Sequence, residues 1–301
     1  MYTPIALLEQ GKEYQQVFLI REMNAKKDTR GRPYLLLTLI DVTDQIKCYV
    51  WDTSVKATSP AVQPGSYIHA TIKVDDFKGQ KTCVTHSISP VRRPDNLEDY
   101  VRGESDHALD VYAEEITALI DDIDDDDYRK IMSIAVERGM LDDFRHYAYG
   151  TRGPLAHIGG LIVYTLRLCR TALSLADACP DAEAPIDRSL VITSALFRNW
   201  GYSQVLEMNG DSWQINEYGR LLGVRWASAQ VARDCTIDTE STLSVELNPT
   251  KKLVLQKLCM ETEEERMNVL EGKILLAAER IVNAIHYTPR SKKMFKEHHD
   301  A

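Results

Sequence analysis

The sequence lacks what would place it in a membrane, outside the cell or around a structural metal. No apolar run is long enough to span a bilayer; the uncharged stretch Gly153 to Leu166 has 14 residues and is broken by Pro154, His157 and the Gly159-Gly160 pair. The start, MYTPIALLEQ, carries neither the basic residues nor the long apolar core of a secretion signal, so a cytoplasmic protein with no membrane contact is expected. Cysteine is sparse. The six present (Cys48, Cys83, Cys169, Cys179, Cys235 and Cys259) form no C-x-x-C pair and no zinc-clip or disulfide spacing, which predicts reduced, mostly buried thiols. Net positive charge is absent too: 36 Lys plus Arg stand against 45 Asp plus Glu, and a chain of net charge −9 does not coat nucleic acid with its whole surface. A composition 44% apolar and 27% charged excludes a disordered protein.

What is present is unevenly distributed. Residues 1–93 hold 13 basic against 9 acidic side chains and residues 94–301 hold 23 against 36, so a unit of +4 precedes one of −13. The length of 301 residues itself favours two domains.

From Gly11 to Arg93 the pattern is strand-like. Tyr14–Met23, Tyr34–Ile40, Ile46–Trp51, Tyr67–Val74 and Gln80–Ser89 alternate or run apolar, and turn residues separate them at Asp28-Thr29-Arg30-Gly31, Asp41–Asp44, Pro64-Gly65 and Lys78-Gly79. Five short strands without strong intervening helices predict a small all-β barrel, for which the OB-fold is the commonest arrangement. Residues 94–113 are polar and acidic and read as a linker. Beyond them the apolar period lengthens to that of helices, with stripes from Leu155 to Leu173 and from Met267 to Ile285, so residues 114–290 are expected to form an all-α domain and 291–301 a tail. The run Asp121-Asp122-Ile123-Asp124-Asp125-Asp126-Asp127 lacks the ligand spacing of a calcium loop and fits a helix start, where carboxylates complement the dipole.

This order of parts resembles a known family. VFLIREM from Val17, RGRPYLLLTLIDVTDQI from Arg30 and CYVWD from Cys48, followed by LAHIGGLIVYTL from Leu155 and ALFRNWGY from Ala195, resemble the YhaM-type 3′→5′ exoribonucleases over about residues 12–288. The resemblance implies an OB-fold that binds nucleic acid, followed by an HD-superfamily domain in which imidazoles and carboxylates hold divalent metal for phosphodiester hydrolysis.

The positions that would carry that chemistry depart from it. Tyr164 stands where the family's Gly-Gly-Leu-x-x-His-Thr helix supplies a histidine, Arg198 and Asn199 replace the His-Asp pair, Val224 replaces the histidine of a later Gly-His, and Glu279 matches the last carboxylate. A guanidinium offers no lone pair and an amide is a poor ligand for a catalytic divalent metal. Between Tyr147 and Ile285 there is a single histidine, His157, and the one His-Asp dipeptide is His299-Asp300 in the tail, so no shift of alignment restores a cluster. A degenerate HD domain with no catalytic residue, metal or cofactor is therefore expected. His157 reads either as a remnant of the site or as a helix-start histidine bonded to backbone. Arg198 and Asn199 read either as filling of the vacated cavity or as a phosphate site without hydrolysis.

The first domain retains the features a single strand needs, basic side chains for phosphates and aromatic rings for bases. The candidates are Arg21, Lys26, Lys27, Arg30, Arg32, Tyr34, Lys47, Tyr49 and Trp51, with Lys73 and Phe77 beside them; Lys26, Lys27, Arg30 and Arg32 are expected in a turn, and Lys292, Lys293 and Lys296 lie near the C-terminus. Strand alternation puts Lys47, Tyr49 and Trp51 on one face. The expected function is non-catalytic binding of single-stranded RNA or DNA by the OB-fold, with the inactive HD-like domain as scaffold or partner dock. The alternatives are an active metal-dependent 3′→5′ exonuclease with an unconventional site, and a protein interaction module. The resemblance also implies a homo-oligomer, which no heptad pattern supports.

Overall fold

A computed structural model describes residues 2–51, 62–77, 79–85, 87–92, 94, 96, 99–178, 185–263 and 266–287. Cys179, Lys292, Lys293, Lys296, His299-Asp300 and the whole expected tail 291–301 lie outside the described residues. The chain divides into two compact units, Met1–Ser105 with Met208–Gln214, and the remainder.

Among the described residues one six-stranded sheet dominates the first unit: β1 (Glu13–Lys27), β2 (Pro33–Ile40), β3 (Gln45–Val50), β4 (Tyr67–Phe77), β5 (Gln80–Thr85) and β6 (Ile88–Val91). They pair in the order β1-β2-β3-β5-β4-β6, and β1 also pairs with β4, so five of them close a ring; β3 and β5 are parallel and the other pairings antiparallel. This is the OB barrel the strand pattern predicts. Closure depends on the 15 residues of β1, whose first half pairs with β4 (Glu13↔Lys73 to Leu19↔Tyr67) and whose second half pairs with β2 (Leu19↔Ile40 to Lys27↔Pro33). A register shift between Ile20 and Glu22 bends the strand from one partner to the other.

Alternation fills the interior with Phe18, Ile20, Leu37, Leu39, Ile46, Cys48, Val50, Ile68, Ile72, Val74 and Cys83, all buried. Two expectations are corrected here. The single strand expected over Gln80–Ser89 is two, β5 ending at Thr85 and β6 starting at Ile88, because the Thr85 hydroxyl bonds Thr71 O and Ser87 O and turns the chain there. Lys26 and Lys27 are not in a turn, since pairing with Tyr34 and Pro33 extends β1 through them.

The second unit has eight described helices: α1 (Asp106–Asp121), α2 (Asp126–Glu137), α3 (Met140–His146), α4 (Gly160–Asp177), α5 (Arg188–Val205), α6 (Glu217–Leu243), α7 (Pro249–Met260) and α8 (Leu270–Tyr287). A short hairpin, β7 (Leu206–Asn209) and β8 (Ser212–Ile215), separates α5 from α6 in sequence; its residues Met208–Gln214 belong to the first unit, and among the described residues it is the one strand pair in the expected all-α region. Helix α1 begins within the expected linker 94–113, because Leu109, Ala113 and Ile116 already carry the helical spacing that buries one face. Leu155 and Ile158 of the expected stripe are buried but precede α4, which starts at Gly160. The Asp run starts a helix: Asp125 caps α2, its Oδ1 accepting from the N–H of Asp127 and Tyr128.

Helix α5 is the centre of the unit. Ser189 to Gly201 is buried on every side, as expected of a helix surrounded by others. Its approach to α6 requires Gly201, whose N–H bonds the Ser228 hydroxyl at 3.2 Å and whose missing Cβ would sit 2.6 Å from Val224 O. Helix α6 breaks at Gly223, which has φ 79° and ψ 161°. Among the described residues no helix is long and apolar enough to cross a membrane, and the five described cysteines are buried and free. Gly201→Ala is expected to cost about 1–3 kcal/mol by overpacking the α5–α6 contact, which urea denaturation measures; an unchanged midpoint would show that the helices can separate freely.

Candidate nucleic-acid interface and the buried centre of the helical unit

One face of the barrel is aromatic. Leu36 pairs with Tyr49 across β2 and β3, Tyr49 with Val84 across β3 and β5, and Val84 with Lys73 across β5 and β4, so these positions share a side of the sheet. On that side Tyr34, Tyr49 and Trp51 cluster, with ring centroids 5.8 Å (Tyr34–Tyr49), 5.0 Å (Tyr34–Trp51) and 6.5 Å (Tyr49–Trp51) apart; the last two rings are 14° from parallel. They line an open cleft of about 440 Å³ together with Lys27, Asp28, Thr82, Val84 and Phe77. Trp51 is 38% and Phe77 58% exposed, a large apolar presentation for side chains that the sheet could have turned inward.

Charge is arranged unevenly around these rings. The Arg32 guanidinium lies 5.9 Å from the Trp51 ring centroid, within cation–π range, and its Nε bonds Asp28 at 2.8 Å. Asp28 in turn accepts the N–H groups of Arg30 and Arg32, which lower its pKa and tie the β1–β2 turn. Lys47 is exposed on the strand carrying Tyr49, and Lys26 is exposed on the rung of Tyr34. The opposite wall is acidic, formed by Asp75 and Asp76 at the end of β4.

Arg21 is not brought to this face. It is the extra residue of the β1 bulge, unpaired in the register with β2, and its Nε lies 4.0 Å from Asp211 beside a separate depression lined by Asp41, Tyr100 and Arg102. Sequence reasoning did not place Thr82 and Val84 in the cleft; the alternation along β5 carries that signal once its parallel register with β3 is known.

In the helical unit two of the positions expected to mark a vestigial metal site, Arg198 and Glu279, join Arg225 in a buried ionic network. Arg198 is completely buried, its Nε and Nη2 donating to Glu279 Oε1 (2.7 Å) and Oε2 (2.9 Å) and its Nη1 to Leu258 O and Glu261 O (2.8 Å to the latter). Arg225, which sequence reasoning missed, donates from Nη2 to Glu279 Oε1 (2.7 Å) and from Nη1 to Arg198 O (2.9 Å). Burial alone would raise the Glu279 pKa, but Arg225 and Arg198 together hold it below the usual glutamate range.

Tyr164 stacks on Tyr149 with centroids 3.4 Å apart and donates its hydroxyl to Asn283 Oδ1 at 3.0 Å; burial pushes its pKa upward, so it stays a phenol. His157 Nδ1 faces Ile158 O at 2.9 Å, and since a carbonyl only accepts, that nitrogen carries the proton. Val224 follows the break at Gly223, and its carbonyl lies against Gly201. Asn199 is buried, and neither of its amide atoms is hydrogen-bonded among the described residues.

This set does not fit a divalent metal. Both oxygens of Glu279 accept from guanidinium groups, Arg198 and Val224 supply no lone pair, and Tyr164 is protonated and bonded. Among the described residues no three His, Cys, Asp or Glu side chains come together as a metal site.

No family model matches the chain. It is 22% identical over 250 residues to the 3′-5′ exoribonuclease YhaM of Bacillus subtilis (strain 168), an alignment covering 81% of this chain and 77% of that protein. It is 24% identical over 227 residues to YhaM of Halalkalibacterium halodurans (74% and 68%) and 23% identical over 246 residues to YhaM of Listeria innocua (78% and 74%). The chain is a distant homologue of these exoribonucleases.

Three outcomes follow for the buried centre of the helical unit. Arg198→Met is expected to destabilise by about 3–5 kcal/mol, since it removes both bonds to Glu279 and strips the Leu258 and Glu261 carbonyls. Because the folded pKa of Glu279 is depressed, its contribution is complete above the ordinary glutamate value of about 4.3 and is lost as pH falls through the lower folded value. Glu279→Gln is therefore expected to flatten the acid limb of the stability profile by up to about one proton, which urea titrations between pH 2 and pH 6 measure. Asn199→Leu is expected to be neutral or stabilising, because it removes a buried amide without partners; a thermal-melt loss above about 1 kcal/mol would show that the amide is satisfied.

Proposed function

We propose that this protein binds single-stranded nucleic acid on the aromatic cleft of its barrel, and that its helical domain is a non-catalytic scaffold or partner dock. The Tyr34, Tyr49 and Trp51 cluster carries this reading: three rings on one sheet face, Trp51 exposed and Tyr34 and Tyr49 half-buried, with cations on the β1, β2 and β3 side, offer base stacking and phosphate contacts together. Relatives named as 3′-5′ exoribonucleases favour RNA as the strand. The loss of hydrolysis is supported by the Arg198–Glu279–Arg225 network standing where metal ligands would be needed.

The acidic wall at Asp75 and Asp76 favours a phosphate track on the other side of the rings, along Lys26, Lys27, Arg30, Arg32 and Lys47. Arg21 stands apart from this track.

The homology itself favours a second reading, an active nuclease with an unconventional centre. A fluorescently labelled RNA titrated at several salt concentrations, with metal analysis and a manganese-dependent degradation assay on the same preparation, separates the two. Binding is expected to weaken with salt, and Tyr49→Ala and Trp51→Ala are each expected to cost about 1–3 kcal/mol, while Asp75→Asn tightens binding. Stoichiometric metal with degradation would establish the nuclease; no binding at low salt would leave the barrel as a protein-contact module.

A further inference from the structure

The network at the centre of the helical unit is unbalanced. Two guanidinium groups, Arg198 and Arg225, share the single carboxylate of Glu279, which leaves one positive charge in surplus. Besides Glu279, Arg225 faces the phenols of Tyr202, Tyr149 and Tyr164 and the thiol of Cys259, none of which is a second carboxylate. A cation left unmatched at the edge of a protein interior favours the approach of an anion.

The two arginines differ in what they still have to offer. Arg198 is fully buried and committed to Glu279, Leu258 and Glu261. Arg225 is 21% exposed and uses two of its N–H groups, one on Arg198 O and one on Glu279 Oε1. A guanidinium has about five such donors, so three of them, the Nε–H included, have no partner among the described residues. Tyr202, half-buried with its ring 4.6 Å from that of Tyr149, has a hydroxyl that likewise makes no hydrogen bond among the described residues. Glu279 already accepts three guanidinium N–H groups, two from Arg198 and one from Arg225.

We propose that Arg225, with the Tyr202 hydroxyl, binds a phosphomonoester at the solvent-facing side of this network. A phosphate dianion accepts bidentately from a guanidinium fork, has oxygens left for a phenol, and neutralises the surplus charge; Lys in the same place would offer only a point charge. The site holds the anion without hydrolysing it, and it rests on the reading that the helical unit contains no metal. The phosphate comes either from a free small molecule or from the terminus of a nucleic-acid strand, and both present the same chemistry to Arg225.

Calorimetric titration of the full-length, metal-analysed protein tests this with four probes at matched ionic strength: inorganic phosphate, a nucleoside monophosphate, and one oligonucleotide with and without a terminal phosphate. Saturable phosphate binding is expected, weakened at least about tenfold by Arg225→Gln, the loss of a bidentate charged contact, and partly restored by Arg225→Lys. Tyr202→Phe is expected to weaken it several-fold and, as the milder change, decides the matter if Arg225→Gln does not fold. Preference for the end-phosphorylated oligonucleotide identifies the strand as the source; equal affinity for the two oligonucleotides identifies the small molecule. No phosphate binding by folded, metal-free protein, or binding undiminished in Tyr202→Phe and Arg225→Gln, would overturn the proposal. Binding abolished by chelation would overturn it together with the metal-free reading. Trp51→Ala leaves phosphate binding unchanged, so failure of the barrel to hold a strand is read separately.

Discussion

A carboxylate gripped by two guanidinium groups fixes the interior of the helical domain. Glu279 reaches from α8 to Arg198 on α5, Arg225 reaches from α6 to the same carboxylate and to the Arg198 carbonyl, and Arg198 continues to the carbonyls that end α7. Four helices are therefore registered against one another by a few charge-assisted bonds that tolerate little displacement. The Gly201 contact belongs to the same constraint, since α6 must lie close to α5 for Ser228 to bond both the Gly201 N–H and the Arg198 carbonyl. The break at Gly223 precedes this stretch of α6 and frees its direction from the helical turns before it.

The barrel is held by closure instead. Its strand β1 is shared between two neighbours, and the bulge that allows the sharing also decides which basic side chains attend the aromatic face. Residues on the β2 side of the bulge keep their rungs opposite Tyr34 and Leu36, whereas Arg21 at the bulge is turned to Asp211. A local backbone irregularity thus edits the electrostatics of a surface several residues away.

Much of this was legible in the residues themselves. Period-two alternation in IKCYVW puts Lys47, Tyr49 and Trp51 on one face, and Asp28 and Gly31 mark the turn between β1 and β2. What was hidden depends on distant partners. Lys26 and Lys27 look like turn residues because nothing local shows that β2 extends alongside them, and Thr85 ends β5 through bonds to residues that alternation does not reveal. Arg225 is an ordinary helical arginine in sequence; only folding brings it to a carboxylate 54 positions away. Likewise the orphaned amide of Asn199 is a property of its surroundings and not of its residue type.

The distance between the Tyr49 and Trp51 rings has a consequence of scale. Two steps along a β-strand advance about 6.6 Å, and the near-parallel rings stand 6.5 Å apart, so the backbone sets their separation and the side chains merely inherit it. That length is close to twice the ~3.4 Å rise of stacked bases. The spacing of the two rings is thus a property of the strand, and any flat ring at either position would keep it.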